Sequence, residues 1–174
     1  MNWTNGLDHC AGKRATMELR LRELRDADLD AVFAWESDPA GIGLAAFTRS
    51  DPNDRDAFDE HYRKIGAEPS NLIRVIEAEG EPVGTISSFW IDDDREISYW
   101  IARAWWGQGI ASRALGLFLA EETTRPLRGR VAETNPASRA VLRKNGFEEV
   151  GQDTGYAAGV GRVVTEYLYR LDAR

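Results

Sequence analysis

The sequence predicts an α/β (α+β) fold with a mixed, mostly antiparallel sheet of about seven strands and helices on both faces. Stretches in which apolar and polar side chains alternate, as in half-buried strands, are interleaved with stretches whose apolar residues follow helical spacing. Two strand patterns are separated only by residues 79–82, a turn short enough to require an antiparallel pair. The predicted order of elements is βααβββαβαββ.

The first half of the chain contributes one strand and two helices to this order. Residues 16–24 alternate and predict the strand, after which Asp26 is suited to cap a helix with apolar residues at helical spacing. The Gly, Pro, Ser and Asp residues of 38–53 predict a loop. A short amphipathic helix over 55–65 follows this loop.

The second half contributes the remaining strands and two helices. The strand patterns cover residues 72–78, 83–91, 95–101, 129–133, 148–156 and 163–171. The helical patterns cover residues 113–123 and 136–144. Neighbouring strands in the middle of the chain and helical crossovers after them together predict a mixed sheet.

Composition places the chain among soluble globular proteins. Its 174 residues, 43% hydrophobic and 29% charged, suit one domain over 16–174 after a flexible N-terminal tail over 1–15. The sequence has no apolar run of about 18 residues that would span a membrane. Its first residues lack the apolar stretch of a secretory signal. We therefore expect a cytoplasmic protein without a membrane partner.

Charge and the rare residue types narrow the function classes. Residues 23–60 hold 11 acidic and 3 basic side chains (−8), whereas 103–144 hold 8 basic and 3 acidic ones (+5). One part of the molecule would attract cations and another anions. The pI of about 5.0 disfavours nucleic acid as a partner. A single Cys10 and two separated histidines, His9 and His61, predict neither a disulfide framework nor a metal site.

The segment 105–113 predicts a phosphate cradle. It joins the strand over 95–101 to the helix over 113–123 through Gly107 and Gly109. Glycines let the backbone approach a ligand closely. The free N–H groups of the next helical turn and the positive end of the helix dipole suit pyrophosphate oxygens.

Two other phosphate-binding motifs fit this segment less well. Gly107-x-Gly109-x-x-Ser112 is close to a dinucleotide fingerprint, and Glu133 lies about twenty residues on, where that fold places a ribose-binding acid. A dinucleotide-binding strand is a near-continuous apolar run, however, and this one is interrupted by polar residues such as Glu96. No Gly-Lys-Ser/Thr follows the glycines, which excludes a P-loop.

A second local signal begins at Asn135. This residue is suited to cap a helix, Pro136 to occupy its first position, and Asn145-Gly146 to end it with a left-handed turn. Capping alone explains these residue types. A capped helix N-terminus soon after the cradle helix would, in addition, suit a long ligand that is bound at two places.

The two segments together resemble the cofactor motifs of the GNAT acetyltransferase superfamily. Gly107-Gln108-Gly109-Ile110-Ala111 resembles its acetyl-CoA pyrophosphate loop, and Asn135-x-x-Ser138-x-x-Val141-Leu142-x-Lys144-x-Gly146-Phe147 resembles its second cofactor motif. Tyr99-Trp100-Ile101, the Trp before the glycine, and Ser138 are similar to the branch that acetylates ribosomal-protein N-termini. Trp106 is a departure, since many members have Arg or Gln there, although the backbone amides would still form the cradle.

The resemblance implies acetyl-CoA as the donor substrate and direct transfer to a primary amine. The pantetheine arm would lie between the strands over 95–101 and 129–133. Ser138 is the predicted proton donor to the leaving thiolate, and Glu96 the predicted base, with Glu133 as its rival. The implied cofactor contacts are Trp100, Ile101, Trp106, Gly107, Gln108, Gly109, Ile110, Ala111, Ser112, Arg113, Asn135, Ser138, Arg139 and Lys144.

The acceptor is predicted from the chemistry of amines. An α-amine of pKa near 8 is roughly 10% neutral at pH 7, and a lysine of pKa near 10.4 only about 0.04%. A site without an obvious base therefore favours a protein or peptide N-terminus, or a small amine of low pKa. The acidic region 23–60, with Trp35, Phe47 and Trp90 as walls, would receive this cation. Unchanged acceptor binding after charge reversal at Asp51, Asp54 and Asp56 would contradict that hypothesis.

Other functions stay open at this point. A small-molecule acetyltransferase, acting on an antibiotic or a polyamine, would share the scaffold and differ only in its acceptor. A non-catalytic acyl-CoA-binding module would bind the cofactor without turnover. A dinucleotide oxidoreductase would bind NAD instead. A homodimer is compatible with each of these functions.

Overall fold

A computed structural model describes residues 17–173 of the chain. The predicted α/β class and the seven-stranded mixed sheet are confirmed. The strands are β1 (Leu19–Glu23), β2 (Leu72–Ala78), β3 (Glu81–Ile91), β4 (Asp94–Ile101), β5 (Leu127–Ala132), β6 (Glu148–Ala157) and β7 (Arg162–Leu171). The predicted tail over 1–15, with His9 and Cys10, lies outside the described residues.

Helices connect the strands. The α-helices of the described residues are α1 (Leu29–Glu36), α2 (Pro39–Ala45), α3 (Arg55–Ala67), α4 (Ile110–Glu121) and α5 (Pro136–Lys144). Asp26–Asp28 and Arg103–Trp105 form single 3-10 turns. Within residues 17–173, no helix has the length and apolar content needed to cross a bilayer.

The strand order in the sheet is β1-β2-β3-β4-β5-β7-β6. All neighbours are antiparallel except β4 and β5, which are parallel and joined by the crossover helix α4. The turn between β2 and β3 is made by Glu79 and Gly80, both with positive φ, as a tight hairpin requires. The hairpins thus follow from local turn residues, and the parallel pair follows from the crossover.

Alternation along β4 decides which side chains reach each face of the sheet. Tyr99 lies on the face covered by α4 and α5, where its hydroxyl meets Ser138. Trp100 lies on the opposite face and packs beneath Gly41 of α2, where an added β-carbon would stand 2.5 Å from the indole. Helices therefore cover both faces, as the sequence predicts.

The main core lies between the sheet and α4 and α5. It contains Ile76, Ile86, Leu115, Phe118, Leu127 and Leu142, all fully or almost fully buried. Burial of a side chain of this size stabilises the fold by about 1.5–3 kcal/mol. Leu115 and Phe118 lie at helical spacing on α4, so the sequence pattern sets the face that α4 buries.

A buried ion pair joins β4 to the end of α4. The side chains of Arg95 and Glu122 are 5% and 4% exposed, and two guanidinium nitrogens donate to the carboxylate. The Ser88 hydroxyl donates to the same carboxylate. Burial favours the neutral acid, but the hydrogen bonds from Ser88 and Arg95 outweigh it and lower the pKa of Glu122 to about 2.

The structure corrects the predicted order by one helix. Residues 39–45 form α2, where the sequence predicts a loop over 38–53, because Pro39 occupies the first helical position and Asp38 caps it. The observed order is therefore βαααβββαβαββ when the two 3-10 turns are left aside.

Several element boundaries also differ from their predictions. Helix α4 begins at Ile110 rather than at residue 113, since Gly109 begins it without a capping side chain. Strand β5 begins at Leu127, two residues before the predicted start. Asp26 begins a 3-10 turn instead of capping an α-helix.

Candidate active site

Strands β4 and β5 separate partway along their length. Their parallel pairing extends only as far as Ile97 with Gly129. Beyond that point β4 continues to Ile101 and β5 to Ala132 without pairing with each other. The facing edges of the two strands therefore lack a hydrogen-bond ladder, and a ligand can lie between them.

The segment before α4 has the geometry of an anion cradle. Gly107 and Gly109 adopt left-handed backbone conformations with φ of 74° and 75°, which residues other than glycine rarely adopt. Gly109 is the N-cap of α4, and no side chain caps this terminus. The first backbone N–H groups of α4 are therefore left for an external acceptor such as a phosphate.

A first cavity of about 340 Å³ adjoins this terminus. Of the residues predicted to contact the cofactor, those that line it are Trp100, Ile101, Trp106, Gly107, Gly109, Ile110, Ala111, Ser112, Asn135 and Ser138. Gly41, Leu44 and Ala45 of α2 also line it. The cavity thus joins the N-termini of α4 and α5 and the edge of β4, and it suits a long molecule with an anionic group.

Tyr99 and Ser138 meet in the wall of the first cavity. Their hydroxyl oxygens are 2.7 Å apart, and the Tyr99 hydroxyl also lies 3.3 Å from the Ser138 carbonyl oxygen. The Ser138 backbone N–H donates to the side chain of Asn135, the N-cap of α5. Burial raises the pKa of Tyr99 to about 12. The phenol is therefore protonated at neutral pH and is able to donate a hydrogen bond to Ser138.

Trp106, the departure from the family pattern, has a defined partner. Its indole N–H donates to the carbonyl oxygen of Ile101, at 2.7 Å, and its side chain is 37% exposed. The indole therefore lies against the end of β4 at the wall of the first cavity. It occupies one backbone acceptor that a bound molecule would otherwise reach.

Four of the predicted cofactor contacts lie outside the lining of the first cavity: Gln108, Arg113, Arg139 and Lys144. Gln108 contacts a backbone carbonyl of the preceding turn. Arg113 donates to the Met17 carbonyl at 2.6 Å, and the Arg139 guanidinium lies 3.6 Å from the ring centroid of Tyr167. Lys144 is exposed. Phosphate or adenosine contacts by these residues stay predictions.

Neither predicted base lines the first cavity or the second cavity, which lies on the other face of β4. Glu96 is 4% exposed and accepts a hydrogen bond from Arg130 at 3.0 Å. Glu133 is exposed and is bound by Arg162 at 3.1 Å. Removal of the amine proton by either carboxylate would therefore require a path through water.

A second cavity of about 500 Å³ lies on the other face of β4. The hydroxyls of Thr85, Ser87 and Ser98 come from β3 and β4, and Phe89 and Trp90 add aromatic walls. Tyr99 and Trp100 line this cavity as well as the first one. The two cavities therefore meet at the end of β4.

Glu36, in the lining of the second cavity, is held by two hydrogen bonds. Its two carboxylate oxygens accept hydrogen bonds from the Tyr62 hydroxyl, at 2.6 Å, and from Arg49, at 2.9 Å. Burial and the charge of Glu36 raise the pKa of Tyr62 well above its usual range. Arg49 stacks over Phe33 and Phe58 and does not line the cavity. The carboxylate thus faces the cavity from a fixed position.

The predicted acidic region contributes to the second cavity through other residues than those expected. Glu36 lines the cavity, whereas Asp51 holds a turn and Asp54 caps α3. Of the predicted aromatic walls, Trp90 lines the cavity, and Trp35 and Phe47 do not. Helix capping and turn formation explain why acidic residues cluster in this part of the sequence.

Asn145 has a role that the sequence does not reveal. Its side-chain amide donates to the Ser112 carbonyl, at 3.1 Å, and to the Val141 carbonyl, at 2.9 Å. It therefore ties the first turn of α4 to the C-terminal end of α5. The partner in α4 is distant in sequence, so no local signal identifies this contact. Gly146, with φ of 88°, supplies the predicted left-handed end.

The chain belongs to the GNAT acetyltransferase family. The family model of the acetyltransferase (GNAT) domain matches residues 18–148. This family uses acetyl-CoA as its acetyl donor, in agreement with the cofactor that the sequence predicts. None of the curated proteins compared with this chain matches it.

Solved structures resemble the whole fold. A ribosomal-protein-alanine N-acetyltransferase from Brucella melitensis is 26% identical, with a TM-score of 0.70 over 88% of this chain and 99% of that one. Mycobacterium smegmatis RimJ, in complex with CoA-disulfide, is 25% identical, with a TM-score of 0.71 over 89% and 82%. A Vibrio cholerae spermidine N-acetyltransferase, in complex with CoA and spermine, is 21% identical, with a TM-score of 0.74 over 88% and 95%, and shares the fold alone.

Proposed function

We propose that the protein is an acetyl-CoA-dependent N-acetyltransferase whose main acceptor is the α-amine of a protein or peptide N-terminus. The observation that carries the proposal is the wall that the two cavities share, formed by Tyr99 and Trp100. A thioester in the first cavity and an amine in the second would meet at β4. Such proximity permits direct transfer without a covalent enzyme intermediate.

The donor would occupy the first cavity. Its pyrophosphate would bind the N–H groups that follow Gly107 and Gly109, and its pantetheine arm would lie beside Trp100 and Ile101 in the gap between β4 and β5. Asn135 would hold the arm from α5. The adenosine end would then extend toward the basic residues, the proposed roles of Arg113, Arg139 and Lys144.

The chemistry needs one proton donor and a stabilised oxyanion. The amine nitrogen attacks the thioester carbonyl carbon, and backbone N–H groups at the open edge of β4 stabilise the oxyanion. The C–S bond then breaks. The thiolate takes a proton from the Ser138 hydroxyl, and Ser138 regains one through water from the attacking nitrogen, which becomes the amide N–H. Tyr99 donates a hydrogen bond to the Ser138 oxygen during this transfer, a role that their 2.7 Å separation supports.

The acceptor must lose a proton to be reactive. Glu96 stays the proposed base through water, although its ion pair with Arg130 and its position outside both cavities make the role indirect. An α-amine of pKa near 8 needs such a base less than a lysine does. The similarity to the Brucella melitensis enzyme, named for ribosomal-protein alanine, supports the same acceptor class.

A small cationic amine is the second candidate acceptor. The carboxylates of Glu36 and Glu68 in the second cavity favour a cation over a neutral or anionic molecule. A polyamine would satisfy this chemistry without a peptide backbone. A non-catalytic acyl-CoA-binding module is the remaining alternative, and it predicts cofactor binding without turnover.

Acetyl transfer to matched acceptors tests the proposal. One peptide begins with alanine, a second has the same sequence with its α-amine blocked and a free lysine, and the third acceptor is spermidine. We expect the alanine peptide to react at least tenfold faster than the lysine peptide at pH 8. Faster reaction of spermidine would favour the second candidate. Binding of acetyl-CoA without turnover of any amine would contradict the enzyme.

A further inference from the structure

We infer that the second cavity selects against acceptors that carry a carboxylate beside the reacting amine, and that Glu36 enforces this selection. The inference rests on the proposed function and adds an acceptor class to it. Peptides with a neutral or basic first residue would be accepted, and so would small amines with neutral or cationic substituents.

The charges around the second cavity carry this inference. Glu36 and Glu68 line it, and its lining residues, all within 17–173, include no lysine or arginine. Ser70 donates two hydrogen bonds to Glu68 and lowers the pKa of that carboxyl, so it is ionised at neutral pH. His61 also lines the cavity, but a carboxylate on the acceptor would meet the two like charges of Glu36 and Glu68 and no lysine or arginine, a juxtaposition that disfavours binding.

Glu36 has the stronger effect of the two carboxylates. Its side chain is 20% exposed, whereas Glu68 is exposed to water, which screens its charge. Tyr62 and Arg49 each hold one oxygen of Glu36, so the carboxylate cannot turn away from an anionic acceptor. The Arg49 guanidinium binds the carboxylate without lining the cavity, which leaves the carboxylate as the charged group that the acceptor meets.

Neutral and cationic groups, in contrast, find partners in the same cavity. Ser87 and Ser98 are register partners on β3 and β4, and their hydroxyls can donate to or accept from an acceptor. The aromatic ring of Phe89 lines the same cavity and can attract an ammonium group, whereas the Trp90 ring already lies against the Arg95 guanidinium, 5.5 Å from its centroid. The cavity would thus repel anionic acceptors and still offer partners to neutral and cationic ones, a combination that specificity often requires.

Two peptides that differ only in their first residue test the inference. One begins with Asn and the other with Asp, which have nearly the same shape and differ in charge. The kcat/KM ratio of Asn to Asp is measured at pH 8 for the wild type, Glu36→Gln and Glu68→Gln. We expect a ratio of at least ten in the wild type, a fall of at least fivefold in Glu36→Gln, and a change below twofold in Glu68→Gln. Comparison between variants cancels the different intrinsic reactivities of the two amines.

A double variant separates the loss of the Glu36 charge from the effect of an unpaired Arg49. Glu36→Gln leaves the charge of Arg49 unpaired, so Glu36→Gln/Arg49→Met is measured beside it, with acetyl-CoA binding as the check of folding. A wild-type ratio near one, an unchanged ratio in the folded Glu36 variants, or an equal fall in Glu68→Gln overturns the inference. Absence of turnover with every amine contradicts the proposed function, whereas turnover with a ratio near one contradicts only the selection.

Discussion

The two cavities on either side of β4 are built from different parts of the chain. The first is formed largely by backbone and small or apolar side chains at the N-termini of α4 and α5, with Gly41, Leu44 and Ala45 added from α2. The second is formed by polar and aromatic side chains from α1, α3, β3 and β4, which are far apart in sequence. Backbone geometry can bind the phosphates that every CoA ester carries, whereas side chains can distinguish one acceptor from another.

A substitution in the buried Arg95–Glu122 ion pair is expected to affect both cavities equally, because this pair joins β4 to the end of α4. Glu122→Gln should lower the free energy of unfolding by about 3 kcal/mol at pH 7, since it leaves Arg95 buried without its partner. The measurement is urea unfolding monitored by circular dichroism. Selective loss of one cavity's binding, with stability unchanged, would contradict this shared role.

The Arg95–Glu122 pair also makes the stability of the fold depend on pH. The pKa of Glu122 is about 2 in the folded protein, against an ordinary value of 4.5. Its contribution to stability is therefore fully present above pH 4.5 and is lost as pH falls toward 2. The difference between wild type and Glu122→Gln should shrink over that range. A difference that stays constant down to pH 2.5 would contradict the assigned shift.

The contact between Tyr99 and Ser138 is tested by a double-mutant cycle. We expect Ser138→Ala to lower kcat about a hundredfold and Tyr99→Phe about tenfold, with acetyl-CoA affinity unchanged, because the Ser138 hydroxyl protonates the leaving thiolate and Tyr99 donates to Ser138. If Tyr99 acts through Ser138, adding Tyr99→Phe to Ser138→Ala should cause no further loss. Additive losses would show that the two hydroxyls act independently.

The backbone cradle distinguishes the first cavity from the second. Gly109→Val should weaken acetyl-CoA binding about thirtyfold, because valine disfavours a φ of 75° and the backbone at the N-terminus of α4 would have to change. Gly66→Val is the matched control, since a β-carbon there meets nothing within 4 Å. Calorimetric titration gives both affinities. Equal weakening in the two variants would contradict a role of the backbone cradle at Gly109 in binding acetyl-CoA.

Glu96→Gln is expected to have the smallest effect on turnover. Glu96 lies outside both cavities and would act only through water, and an α-amine is already about half neutral at pH 8, so we expect kcat/KM for an α-amine peptide to fall less than threefold at that pH. Loss of its ion pair with Arg130 should appear in thermal unfolding instead. A fall in kcat/KM of a hundredfold or more, with a shifted pH profile, would contradict this minor, water-mediated role and show that Glu96 is essential for removal of the amine proton.

The difference between the cavities also explains how far the sequence predicts the site. Gly107, Gly109, Asn135 and Pro136 act through local backbone conformation, so their spacing alone predicts two helix N-termini and a cradle. The strand patterns likewise predict the sheet, because one face of each strand is buried. Pro39 is the exception, since it begins a helix where a breaker is expected.

Long-range contacts account for what the sequence does not predict. Tyr99 meets Ser138, and Asn145 meets Ser112, only after α4 and α5 have packed on the sheet. The walls of the second cavity are brought together in the same way, so composition indicates an acidic region without identifying Glu36. Residues that cap helices or form turns have the same types as residues that bind cations, and only the fold separates them.

The central claim is that donor and acceptor occupy adjoining cavities at the same time. Initial rates measured while both acetyl-CoA and an alanine-terminated peptide are varied test it most directly. Direct transfer in a ternary complex predicts double-reciprocal lines that intersect. Parallel lines, together with an acetylated enzyme detected by mass spectrometry, would show a covalent intermediate and contradict the account.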